Sequence, residues 1–146
     1  VSSGRITLYK HSWELFNDNV LFGIGWREFR KNSLGLISTE VGSHPHNIYL
    51  QLLSEMGIII FLFFIIPVLY LYFKTYRLLR FLSVDNTSQK WKNGIQFSFY
   101  TQTFFLLYGL TGNLLTDFNF LMIYFFACSI SLSAMVFLKS DYSKFL

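Results

Sequence analysis

Three stretches of this 146-residue chain run without a single charged side chain: Met56–Phe73 (18 residues), Asn93–Thr116 (24 residues) and Phe118–Leu138 (21 residues). As α-helices rising about 1.5 Å per residue they reach roughly 27, 36 and 31 Å, against a bilayer hydrocarbon core of about 30 Å. Runs of that length leave few alternatives to helices that cross a membrane. The composition agrees. Aromatic residues make up 21% and charged residues only 14% of the chain, with mean hydropathy +0.42, whereas soluble domains carry about 25% charge. The expected fold class is all-α integral membrane. Three transmembrane helices (51–146, with a C-terminal cytoplasmic tail) follow an external helical loop region (1–50) that carries the candidate motifs. Opening in polar sequence at Val1-Ser2-Ser3-Gly4, the chain is expected to be part of a larger multi-span protein.

The placement of charge sets an expected orientation. Net charge is +4, but the basic residues form no single patch that would suit nucleic acid. Lys74, Arg77, Arg80, Lys90 and Lys92 lie between the first and second runs, and Lys139 and Lys144 follow the third. The turn Thr111–Asn119 carries only Asp117. Lys and Arg concentrate in cytoplasmic loops, so the first loop and the tail are expected inside, and that turn and residues 1–50 outside. Pro67 should kink the first span. Gln96, Thr101, Gln102, Thr103 and Asn113 make the second run less oily, either to bind neighbouring helices or to line a cavity. Cys128, alone in the chain, allows no internal disulfide and reads as packing.

Residues 1–50 carry the chemistry. Ile6, Tyr9, Trp13 and Phe16 recur at helical spacing and predict an amphipathic helix, broken at Asn17-Asp18-Asn19. Gly23-Ile24-Gly25 predicts a loop. The segment His44-Pro45-His46-Asn47 leads into the first span, with Gly57 following after nine residues. Pro45 predicts a helix start at Ser43 or His44, which would put His46 and Asn47 in a first turn whose backbone N–H groups lack intrahelical partners. Such a terminus favours phosphate and disfavours imidazolium. His46 is then either a neutral base or an interfacial cap. His44 and His46 have no third metal ligand close by. Arg27, Arg30 and Lys31 would hold lipid headgroups or a pyrophosphate.

Taken in order, Ser3-Gly4-Arg5 with Trp13 downstream, Leu21-Phe22-Gly23-Ile24-Gly25 with Phe29, and His46-Asn47 with Gly57 resemble the C-terminal portion of the O-antigen ligase/polymerase family of bacterial envelope proteins. Ile60 departs from it, standing where members often carry a further glycine. The resemblance implies a metal-independent membrane glycosyltransferase, without cofactor, in the bacterial inner (cytoplasmic) membrane with its active loop facing outside. Its donor would be an undecaprenyl-pyrophosphate-linked glycan. Its acceptor would be another lipid-linked glycan in an O-antigen or capsular polysaccharide polymerase, or a lipid A core sugar in a ligase. His46 would take the acceptor proton and Arg5 would stabilise the departing pyrophosphate. Asn47, Arg27, Arg30, Gly23 and Gly25 would form the substrate-binding set. The competing class is a non-catalytic polysaccharide transporter or a lipid-headgroup-binding membrane subunit.

Overall fold

A computed structural model describes residues 2–36, 44–84 and 89–138. Its helices are α1 (Ser2–Asp18), α2 (Phe29–Asn32), α3 (Ile48–Val84), α4 (Gln89–Tyr108) and α5 (Phe118–Phe137), with a single 3₁₀ turn at Leu114–Thr116. The chain divides into two compact units. The first joins Val1–Ile66 to Tyr108–Asn113, and the second joins Pro67–Leu107 to Leu114–Leu146.

In the first unit α1 stops where the sequence expects. The amide of Asn19 and its side chain bond back to the Phe16 and Leu15 carbonyls (3.0 and 3.3 Å), satisfying the last turn. The buried face is a different one from the expected stripe. Ile6 and Trp13 are 54% and 51% exposed, whereas Leu8 and Ser12 are buried. The reason is the small side chain of Ser12, whose hydroxyl bonds the Leu50 carbonyl (3.0 Å) and Ser54 Oγ (3.1 Å). Small hydroxyl residues let two helix backbones approach closely and hydrogen-bond across the gap; a Trp-led seam would hold them apart.

α3 begins at Ile48, later than the predicted Ser43 or His44; Ser43 lies outside the described residues. Asn47 is its cap, Oδ1 accepting from the Tyr49 and Leu50 amides (3.0 and 3.1 Å). The expected kink also moves. The one residue of α3 with non-helical dihedrals is Gly57 (φ 72°, ψ 178°), not Pro67. Here the loop after α1 enters the helix ladder. Ile58 donates to the Val20 carbonyl (2.8 Å), while the Ser54 and Glu55 carbonyls accept from Ile24 (2.9 Å) and Gly25 (2.8 Å). Buried backbone groups must find partners, and the loop supplies those that the break removes. Both strands of this joint need glycine. A Cβ on Gly57 would collide with the Leu21 backbone, and one on Gly23 (φ 67°) with the Glu55 backbone.

The second unit packs parts of α3, α4 and α5. Leu78, Leu82, Ile95 and Ala134 form an apolar cluster. Beside it lies a buried polar one: Thr75 donates to Ser131 (2.9 Å), and Gln102 donates to Ser98 (2.9 Å) and Thr75 (3.2 Å). For Gln102 the interhelical role foreseen from sequence therefore holds. α5 turns Ala127, Ser131 and Ala134 inward and leaves Phe118, Phe126 and Phe137 exposed, the arrangement of a helix whose outer solvent is lipid.

Among the described residues two helices are long and apolar enough to cross a membrane, Ile48–Ser83 and Phe118–Phe137, where three spans were expected. The second charge-free run is not one helix. α4 ends at Tyr108, whose carbonyl accepts from Thr111 (2.9 Å) and Gly112 (2.8 Å) in a turn. Asp117 then caps α5 through the Phe120 amide (3.2 Å). Glycines at 109 and 112 weaken helix continuation, and the Gly109 carbonyl bonds the Ile48 amide instead (2.9 Å).

The glycine joint predicts unequal costs for one substitution. Gly57→Ala and Gly35→Ala both place a Cβ at positive φ (72° and 81°), but at Gly35 it would meet nothing within 4 Å. Gly35→Ala is expected to cost about 1 kcal/mol, and Gly57→Ala at least about 3 kcal/mol. Thermal unfolding in detergent checks this; equal shifts in Tm would refute the joint.

Candidate functional site

The site is built in the first unit from the start of α1, the His44–Asn47 segment and the turn after Tyr108. Asn47 Nδ2 donates to the Leu110 carbonyl (3.2 Å), and so does the Tyr9 hydroxyl (3.3 Å). One carbonyl thus ties α1 to the His-Asn segment. Arg5 lies one helical turn before Tyr9 on the same face and is exposed. Its guanidinium acts electrostatically on His46, so residues 41 positions apart in sequence share one field.

His46 is exposed, and its backbone is left-handed (φ 50°). Its pKa is lowered from the usual 6.5, first by partial burial of the ring, then by the Arg5 and His44 charges. The ring is therefore neutral at pH 7 and able to accept a proton. The reason differs from the one read in the sequence. His46 precedes the helix, and the first amides of α3 are all engaged: Ile48 with Gly109, Tyr49 and Leu50 with Asn47 Oδ1, and Gln51 with the Asn47 carbonyl. The expected phosphate cradle of free N–H groups is absent at this helix start. The fixed positive charge beside His46 is the Arg5 guanidinium.

The second candidate cluster is the loop to α2. Arg27 is exposed with φ 67°, at the third position of a turn closed by the Glu28 amide on the Gly25 carbonyl (3.2 Å). Arg27 and His46 are the two non-glycine residues with positive φ among the described residues, and such strain gathers at functional sites. Arg30 sits exposed on α2. Lys31 is paired with Glu28 (2.6 Å). Gly23 and Gly25 do not offer amides to a ligand, since these donate to the Asn19 (2.9 Å) and Glu55 (2.8 Å) carbonyls; their work is packing.

Sequence reasoning missed three residues. Tyr9 was read as part of an apolar stripe. Glu55 and Gln51, one helical turn apart, are 0% and 1% exposed and bonded to each other through Gln51 Nε2 (3.0 Å). A carboxylate and an amide at i, i+4 beside an apolar run was the available signal, since buried charge requires satisfied partners.

Among the described residues this is a helical protein with two helices long and apolar enough to cross a membrane, and Arg5 and His46 lie at the head of the first. Residues 2–65 match the family model described as O-Antigen ligase. That segment is therefore similar to the family named by the resemblance, and together with the two apolar helices it suggests a membrane protein of O-antigen ligase/polymerase type. No curated protein and no solved structure matches the chain.

The electrostatic contact has a measurable consequence. In a pH titration of labelled histidines by NMR, His46 should titrate below 6.5, and Arg5→Gln should raise its midpoint because the cation opposing protonation is gone. An unchanged midpoint in Arg5→Gln would refute the contact.

Proposed function

We propose that this chain forms the donor-side catalytic region of a membrane glycosyltransferase. It moves a glycan from undecaprenyl pyrophosphate to an acceptor sugar, as an O-antigen or capsular polysaccharide polymerase or an O-antigen ligase. The observation that carries this reading is that the Leu110 carbonyl ties Tyr9 of α1 to Asn47, setting exposed His46, its pKa lowered by partial burial and by Arg5, in the field of that guanidinium.

An acceptor hydroxyl attacks the anomeric carbon, its proton passes to the free imidazole nitrogen of His46, and the bond from that carbon to the pyrophosphate oxygen breaks. General-base assistance of this kind contributes about 10²–10⁴-fold. Negative charge grows on the departing diphosphate, and Arg5 is placed to offset it. Arg27 and Arg30 supply further exposed cations for the same diphosphate. Asn47 holds the start of α3 and, through Leu110, the register between His46 and α1. The chemistry requires neither metal nor nucleotide. In the proposed orientation residues 1–50 and the turn before α5 face outward from the bacterial inner membrane, and α4 completes a third crossing.

His46→Ala and Arg5→Ala in the full-length protein are each expected to reduce polymer or ligated product at least about 100-fold at normal membrane abundance, followed on a gel. Normal product from both would favour a non-catalytic transporter or lipid-binding subunit. A membrane-impermeant thiol reagent added from outside should label a cysteine placed at position 43 and not one at position 88; the opposite pattern would invert the orientation. Chelator should leave transfer unchanged.

A further inference from the structure

Between the glycine joint and the exposed arginines lies a carboxylate that the proposed chemistry does not use. Glu55 is fully buried at the last turn before the break in α3, and it grips the loop twice. Its backbone carbonyl accepts from the Gly25 amide (2.8 Å), and its side-chain Oε1 accepts from the Phe29 amide (3.2 Å). The four-residue turn Gly25–Glu28, with left-handed Arg27 near its tip, is therefore held at both ends by one residue. The other carboxylate oxygen accepts from Gln51 Nε2 (3.0 Å), and Gln51 Oε1 in turn accepts from Asn113 Nδ2 (2.7 Å). Every donor in this chain points toward the carboxylate, which is how a buried acceptor is kept in place.

A left-handed backbone costs a non-glycine residue energy and persists only where its surroundings impose it. Glu28 and Lys31 neutralise each other next door, so they add little net charge for a ligand. Arg27, in contrast, presents its guanidinium to solvent from a turn that cannot relax while Glu55 holds residues 25 and 29.

We infer that Glu55 is a positioning residue that locks the Gly25–Phe29 turn and thereby aims Arg27 at the diphosphate of the lipid-linked donor. The inference rests on the proposed donor and adds to it the device that sets Arg27 in place. Preorganisation of this sort raises affinity by removing the cost of ordering the loop on binding.

The test uses the full-length protein in nanodiscs with undecaprenyl pyrophosphate as probe. Arg27→Ala should weaken binding about tenfold, the size of one charge-assisted contact. Glu55→Ala should weaken it by a similar factor, and the two together should lose no more than Arg27→Ala alone, since contacts acting through one residue are not additive. Exchanging the pair, Gln51→Glu with Glu55→Gln, keeps an acceptor for the Phe29 amide and for Asn113, and should restore affinity to within about twofold. Losses that multiply, wild-type binding in Glu55→Ala, or failure of the exchanged pair to recover would each overturn the inference. Should Glu55→Ala not fold, Glu55→Gln alone sets two amides face to face and should weaken binding where the exchanged pair does not; equal affinities overturn it. Glycan transfer by His46→Ala is measured in parallel. Dependence of transfer on His46 with unchanged binding in the Glu55 variants sinks only this inference. Full transfer by His46→Ala sinks the catalytic reading instead.

Discussion

Everything in the first unit depends on a break in a helix and on what fills it. A helix cannot adopt the dihedrals of Gly57 without releasing amides and carbonyls, and in an apolar setting each unpaired group costs several kcal/mol. The loop after α1 takes up those groups through Val20, Ile24 and Gly25, at a backbone separation that only glycines at 23 and 57 permit. One constraint therefore sets the entry into the apolar part of α3 and the course of residues 20–29 together.

The site inherits its geometry from that constraint. Ser12 seats α1 against the segment of α3 that precedes the break, which sets Arg5 and Tyr9 beside the His-Asn segment. Asn47 spends its side chain on the helix start and on Leu110. With its first amides consumed, the start of α3 offers none to an anion. The positive field comes from the Arg5 guanidinium, which adds to partial burial of the ring in lowering the pKa of His46.

How much of this could be read from the chain alone follows from what each motif encodes locally. The helical character, the apolar lengths of α3 and α5 and the break after α1 are local properties, and they were legible. That Arg5 acts electrostatically on His46 is not visible in their spacing, and only the family resemblance named the two together. The Gly23–Gly25 turn and Gly57 were seen as separate signals, because nothing in their spacing says that two backbones meet. The apolar stripe of α1, read as lying at the membrane surface or packing on the spans, is not the face that meets α3, because apolar periodicity cannot weigh a serine that permits close approach. The helix of the second run ends at Tyr108, earlier than the charge-free length to Thr116, because lack of charge does not reveal that Gly109 and Gly112 end a helix. Glu55 was legible only as a charge beside the first span that must face protein or water, because its partners Phe29 and Gln51 are not revealed by the sequence, and Phe29 lies far from it along the chain.

The joint between the loop and α3 is open to direct measurement by amide hydrogen exchange on the full-length protein in nanodiscs. If the loop completes the helix ladder, the amides of Ile24, Gly25 and Ile58 exchange as slowly as those in the interior of α3, and far more slowly than that of Gly35. Exchange of Ile24 and Gly25 at the rate of Gly35 would contradict the joint, and with it the account of how Arg27, Arg5 and His46 come to be held where they are.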